Sequence, residues 1–268
     1  MELEIKKIMD LKDHRFYVPA YQRGYRWTEY EVREFLDDIY NFPTNDGRDS
    51  YCIQPLIVQE NEDGSYAVVD GQQRLTTIYI FMKIAQQEMR SATPLFELKY
   101  QTRDESEKFL TSLWNEHTDF AAKKKENIDF EHIVTAYETM NTWLSEKEDM
   151  SVAIQELNTK IRKSVFFIWY EIPSDADAVD KFRKVNMGKI PLTNAELIKA
   201  LIMNKENFSK DSEKKQTEIS ISWDRIEQSL QDEAFWYFLS KKGQYKTRID
   251  MIFDLIAKER NDQLGDKK

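Results

Sequence analysis

The chain has 268 residues, room for one large domain or two small ones, and 39 Lys and Arg against 48 Asp and Glu leave a formal net charge of -9. Its 41% hydrophobic residues are enough for a sizeable core, which excludes disorder for the bulk of the chain. One cysteine, Cys52, and three scattered histidines, His14, His117 and His132, exclude a disulfide framework, a multi-Cys zinc cluster and a His-rich metal site.

Sparse punctuation, 7 Gly and 6 Pro, predicts long elements. Thr28-Glu29-Tyr30-Glu31 is a capping box, and Val32, Phe35, Leu36 and Ile39 follow it at helical spacing. Tyr51–Gln59 reads as a strand that Pro55 makes an edge or an irregular one, with Cys52 a buried structural thiol inside it. Asn61-Glu62-Asp63-Gly64 is a turn, and Ser65–Val69 is a second strand, so the two form a hairpin. Asp70-Gly71 ends that strand. From Gln72 to about Arg90 the pattern is helical and apolar on most faces, which predicts a deeply buried helix.

Beyond residue 100 the chain reads mostly as helices. Phe130, Ile133, Val134, Tyr137, Asn141 and Leu144 mark one of them. The aromatic and β-branched run Ser164–Ile172 is a strand that joins the first sheet, because alone it would have unpaired edges. Asp175–Val185 is helical, and a second capping box at Thr193-Asn194-Ala195-Glu196 starts another helix. Lys205–Lys215 is the nearest thing to a linker; Trp223–Leu239 and Arg248–Ala257 fit helices, and the charged tail Lys258–Lys268 suggests a longer parent chain. The expected class is α+β: a small mixed sheet with flanking helices over residues 1–95, joined by strand 164–172, then a mostly helical region over 96–268.

Three stretches carry chemistry. In Val18–Trp27, Arg23 and Arg26 have forked donors suited to phosphate, and Tyr21, Tyr25 and Trp27 are flat surfaces that could stack on a base; alternatively these aromatics cap the core. In Asp70–Thr77 a strand meets a helix. Amides at a helix start suit a phosphate, Gly71 allows close approach, Arg74 adds charge, and Thr76 and Thr77 add hydroxyls. Asp70 could hold Mg²⁺ or orient a water; alternatively it caps the helix and pairs with Arg74. The third stretch, Phe182–Thr193, ends a helix near Asn186 with Gly188 as cap, and as readily is a plain helix connection. There is no Walker P-loop, HExxH, CxxC or recognisable Ser/His/Asp arrangement. Neither residues 1–95 nor the remainder is basic, so DNA, where bound, is held through a local patch, weakly, or by another part of the protein. No run approaches the roughly 20 apolar residues of a membrane span, and the N-terminus lacks a secretory pattern, so a cytoplasmic protein without a membrane partner is expected.

Taken in order, VPAYQRGYRW, the strand–turn–strand, VVDGQQRLTTIYIF and FRKVNMGKIPLTNAELIKALI resemble the GmrS-type N-terminal domain family (domain of unknown function 262) of the ParB/sulfiredoxin-like superfamily. The resemblance implies a nucleoside triphosphate bound with Mg²⁺ and hydrolysed, which together with sensing of DNA, including modified DNA, controls DNA cleavage in a restriction or phage-defence system. It implies a His-Asn-His (HNH) nuclease domain in cis or in trans. By resemblance Asp70, Gln73 and Arg74 are catalytic, with Asp70 the metal-associated carboxylate. Gln22, Arg23, Gly71, Gln72, Thr76, Thr77, Asn186 and Lys189 bind the nucleotide, and Tyr21, Tyr25, Arg26 and Trp27 sense DNA or stack on bases. A nuclease in its own right and a non-catalytic scaffold with a vestigial pocket are the competing readings.

Overall fold

Alternating and aromatic-rich segments of the first 172 residues pair into one mixed sheet. The computed structural model describes residues 4–44, 50–89, 96–112, 118–186, 194–203, 207–208, 212–239 and 248–265. It divides into two units, Met1–Pro19 with Gly24–Ala178, and Ala20–Arg23 with Val179–Lys268.

In the first unit the strands are β1 (Glu4–Lys7), β2 (Arg15–Val18), β3 (Tyr51–Glu60), β4 (Tyr66–Asp70), β5 (Glu97–Tyr100) and β6 (Val165–Ile172), and the spatial order is β1-β6-β3-β4-β2-β5. β3 and β4 form the antiparallel hairpin expected from the turn between them, and β6 lies parallel to β3. The short strands β1, β2 and β5 carry no strong sequence signal; pairing creates them, β1 on β6, β2 on β4 and β5 on β2. Pro55 sits in an interior strand, and the irregularity it foretold is a register shift between Cys52 and Pro55, where Gln54 adopts φ 76°. This break leaves Cys52 exposed rather than buried, the opposite of the expectation for a thiol inside a strand.

The helices of this unit are α1 (Glu29–Asn41), α2 (Gln72–Met89), α3 (Asp104–Ser112), α4 (Phe120–Glu126), α5 (Ile128–Ser145) and α6 (Met150–Lys163). α1 starts at the predicted box, where the Thr28 amide donates to Glu31 Oε2 at 2.7 Å, and it buries Val32, Phe35, Leu36 and Ile39. α2 is apolar nearly all round because it is enclosed: Leu75, Ile78, Ile80, Phe81, Met82, Ile84 and Ala85 are all buried. α5 contributes Phe130, Ile133, Val134, Met140, Trp143 and Leu144 to the same core. Each such side chain contributes about 1.5–3 kcal/mol on burial, so α2 and α5 form a rigid base for whatever their first turns display.

In the second unit the helices are α7 (Ala178–Asn186), α8 (Asn194–Ile202), α9 (Ser212–Gln231), α10 (Glu233–Leu239) and α11 (Arg248–Gly265). Its core gathers Ala195, Trp223, Leu230 and Ile249. The start of α8 is held from outside, by Asp250 Oδ1 accepting the Ala195 amide at 2.9 Å; Thr193 of the predicted capping box lies outside the described residues. The segment 20–23 packs here, with Tyr21 against Phe182 at 5.4 Å between ring centres. Among the described residues no helix is long and apolar enough to cross a membrane.

Candidate functional site

Strand β4 ends at Asp70, Gly71 turns the chain at φ 104°, and α2 begins at Gln72. Glycine is required at the turn for its backbone, and also for space: a Cβ there would lie 2.7 Å from Leu56 Cδ1. The first intrahelical bond is Leu75 N to Gly71 O at 3.0 Å, so the amides before Leu75 have no partner within the helix, and the positive end of the helix dipole sits at this corner.

The side chains of the turn are organised among themselves. Arg74 Nη1 donates to the Ile53 carbonyl at 2.6 Å and Nη2 to Asp70 Oδ2 at 3.1 Å. The pair is nearly enclosed, with side-chain exposures of 10% and 12%. Burial pushes the Arg74 pKa down and the Asp70 carboxylate opposes it, so the guanidinium stays charged. Gln72 is buried; its Oε1 accepts from Gln73 Nε2 at 3.1 Å, while its own Nε2 has no acceptor in hydrogen-bonding geometry. Burial pushes the Tyr100 phenol up, and the nearby side chains of Thr76 and Gln72 oppose this. Thr76 Oγ1 lies 3.2 Å from the Tyr100 hydroxyl. Thr77 Oγ1 donates to Gln73 O at 2.9 Å and accepts from the Tyr25 hydroxyl at 2.8 Å.

The Gly24–Trp27 segment lies over this helix start. Gln73 Oε1 accepts the Arg26 amide at 2.7 Å and Gln73 Nε2 donates to Gly24 O at 3.1 Å. Tyr25 is enclosed in the core, and its hydroxyl pKa is pushed up by burial; it acts as a strut between the segment and Thr77 rather than as an open stacking face. Trp27 is half-buried against Phe35, and its carbonyl accepts from His132 Nδ1 at 3.2 Å, which places the ring proton on Nδ1. Burial pushes the His132 pKa down.

Opposite Arg26 stands Asp129, at the start of α5, where Asn127 Oδ1 caps its amide at 2.7 Å. Asp129 Oδ1 accepts from Arg26 Nη1 at 2.5 Å; Oδ2 accepts from Arg103 Nε at 3.0 Å and Ser106 Oγ at 3.1 Å. Burial raises its pKa, but the two guanidinium groups outweigh burial and hold it down to about 2.

The structure therefore brings Asp70, Gly71, Gln72, Gln73, Arg74, Thr76, Thr77, Tyr25 and Arg26 together in the first unit. Tyr21 and Gln22 are buried and Arg23 is exposed in the second unit. Asn186 ends α7, but its side chain and the whole of Lys189 lie outside the described residues. Sequence reasoning missed Asp129, Arg103, Ser106 and His132. Asp129 follows an Asn cap signal, yet an acidic residue in a first helical turn is ordinary, and nothing local announces a partner 103 positions away. Among the described residues no group of three or more His, Cys, Asp or Glu side chains could hold a metal by itself.

These features define an α+β domain whose sheet delivers a strand–glycine–helix turn with buried charge beside it. The family model of the GmrSD restriction endonuclease N-terminal domain matches residues 5–203, and the chain belongs to that family, which sets it in a restriction and phage-defence context. No curated protein matches it.

Proposed function

We propose that this chain is the nucleoside triphosphate-binding and hydrolysing sensor of a modification-dependent restriction or phage-defence system, controlling DNA cleavage by an HNH nuclease domain in cis or in trans. The observation that carries the reading is the corner at Gly71. A positive-φ glycine, helix-start amides without partners inside the helix, an enclosed Asp70–Arg74 pair and a buried Gln72 side chain meet there. Such a corner suits a polyanion on three counts: partial positive charge, close backbone approach and donors already dehydrated.

In this reading the amides of Gly71–Arg74 and the Gln72 amide cradle phosphate oxygens, Arg74 supplies full positive charge, and Gln73 orients the attacking water. Asp70 is the carboxylate that precedes Gly71 at the end of β4. It fits a Mg²⁺ held mainly by phosphate and water, and the ion's part is to neutralise phosphate charge. Thr76 and Thr77 shape the wall through Tyr100 and Tyr25. Gln22, Arg23, Asn186 and Lys189 are proposed nucleotide contacts on the strength of their motifs alone, and Tyr21, Arg26 and Trp27 as DNA-facing residues likewise.

One observation favours a second reading, a pocket that binds without turnover: the Gln73 and Arg74 side chains are already engaged inside the fold. Phosphate release with ATP, GTP, CTP and UTP plus Mg²⁺, with and without DNA, separates the two. The control is Arg74→Lys, which keeps the charge but loses the fork. Turnover that falls in this variant supports the hydrolytic reading. A folded chain stabilised by a nucleotide but releasing no phosphate supports the binding-only one.

A further inference from the structure

The catalytic amide in that proposal, Gln73, does not hold itself in place. Its two ends are fixed by the backbone of Gly24 and Arg26, and those two residues are fixed by α5. We infer that Asp129 is a positioning residue for the nucleotide site: its carboxylate locks Arg26 and Gly24 in place, and their backbone groups in turn orient the Gln73 side chain. The functional half of this inference rests on the hydrolytic reading above.

Neither carboxylate oxygen is free to turn. Oδ1 is taken by Arg26, which also donates to Tyr25 O at 2.7 Å, and Oδ2 is taken by Arg103 and Ser106. The whole residue is only 4% exposed, so water does not compete for these bonds. Contact adds to charge. The carboxylate sits directly on Gly24, where a Cβ would lie 2.1 Å from Oδ1, so the segment can approach this closely only with glycine at position 24. Gln73 then finds an N–H donor and a carbonyl acceptor at fixed points, which is what selects one orientation of an amide that would otherwise rotate. Asp129 itself touches neither Gln73 nor the corner at Gly71 in any described bond, and so acts through the segment.

Two measurements on the full chain test this. Hydrogen exchange followed by mass spectrometry reads peptides covering residues 24–28 in the unaltered protein, in Asp129→Asn and in Gly24→Ala. Expected is a loss of protection of about tenfold or more at 24–28, with β3, β4 and the second half of α2 unchanged. Unchanged protection at 24–28, or equal loss across the sheet, overturns the inference. Should Asp129→Asn fail to fold, Gly24→Ala, which keeps every charge, decides alone. The second measurement is phosphate release. Asp129→Asn should lower kcat by about 10- to 100-fold with KM within about threefold. Added to Gln73→Ala, Asp129→Asn should cost nothing further, because it acts only through that amide. Full kcat or additive losses overturn it. If the unaltered chain releases no phosphate and no nucleotide raises its Tm, the nucleotide reading fails, while the exchange result still decides whether Asp129 positions Gln73.

Discussion

The Arg74 guanidinium donates to the Ile53 carbonyl at 2.6 Å, a bond that joins the first turn of α2 to the irregular stretch of β3. The same guanidinium pairs with Asp70, so one side chain ties the end of β4, the start of α2 and the break in β3 together. Removing it takes the guanidinium from the nearly enclosed Asp70 carboxylate and the donor from the buried Ile53 carbonyl. Arg74→Ala should therefore lower unfolding free energy by about 3–5 kcal/mol, read by urea denaturation. Asp70→Asn with Arg74→Met should lose less than the sum of the two single changes. Additive losses would show that the pair is not coupled.

Gly71→Ala combines an unfavourable φ of 104° with a Cβ pressed to 2.7 Å from Leu56, which is wholly buried. The expected loss is about 1–3 kcal/mol, again by urea denaturation. Gln54→Gly should do the reverse. Gln54 is exposed and sits at φ 76°, so glycine relieves strain and should raise stability by up to about 1 kcal/mol. A loss in that variant would mean the Gln54 side chain makes contacts worth more than the strain.

Asp129 carries a predictable acid dependence. Its folded pKa, about 2, lies below the usual value near 3.9, so its charged form stabilises the fold. That stabilisation, about 2 kcal/mol, is complete above roughly pH 4 and is lost as the pH falls towards 2. Tm measured between pH 5 and about 2 should fall more steeply in the unaltered protein than in Asp129→Asn, which should be less stable at pH 7 and flatter in acid. Parallel curves would remove Asp129 from the account of acid sensitivity.

In the second unit, Asp250→Ala removes the acceptor for the Ala195 amide at the start of α8. The expected cost is about 0.5–2 kcal/mol, the usual worth of a helix cap, measured as a shift in the urea midpoint. An unchanged midpoint would mean that water replaces the carboxylate at no cost.

A nucleotide that binds should raise Tm in proportion to the logarithm of its concentration, by about 2.7 kcal/mol of stabilisation at a hundred times its Kd. Differential scanning fluorimetry with each triphosphate and Mg²⁺ reads this directly. No shift with any of them would leave the corner at Gly71 without a ligand of that class.

The strong local signals were legible. The box at Thr28, the turn at Asn61–Gly64 and the enclosed pattern after Gln72 each state their structure within a few residues, because caps, turns and periodicity are short-range effects. β1, β2 and β5 are four residues each, too short for a pattern, and exist because neighbours pair with them. Cys52 misled for a related reason. Alternation assigns a face only while the register runs on, and here it breaks beside Pro55.

From the motifs alone came the residue types at the site: an Asp and a Gly at the strand end, two Gln and an Arg in the helix's first turn, an aromatic and basic segment earlier in the chain. Their partners came only from tertiary structure. Arg74 meets the Ile53 carbonyl, Gln73 meets the backbone of residues 24 and 26, and Arg26 meets Asp129, each across a long stretch of chain. A side-chain hydrogen bond is worth most where water is excluded, and burial is a property of the whole packed core, so which of these polar groups are locked and which stay open was decided by packing.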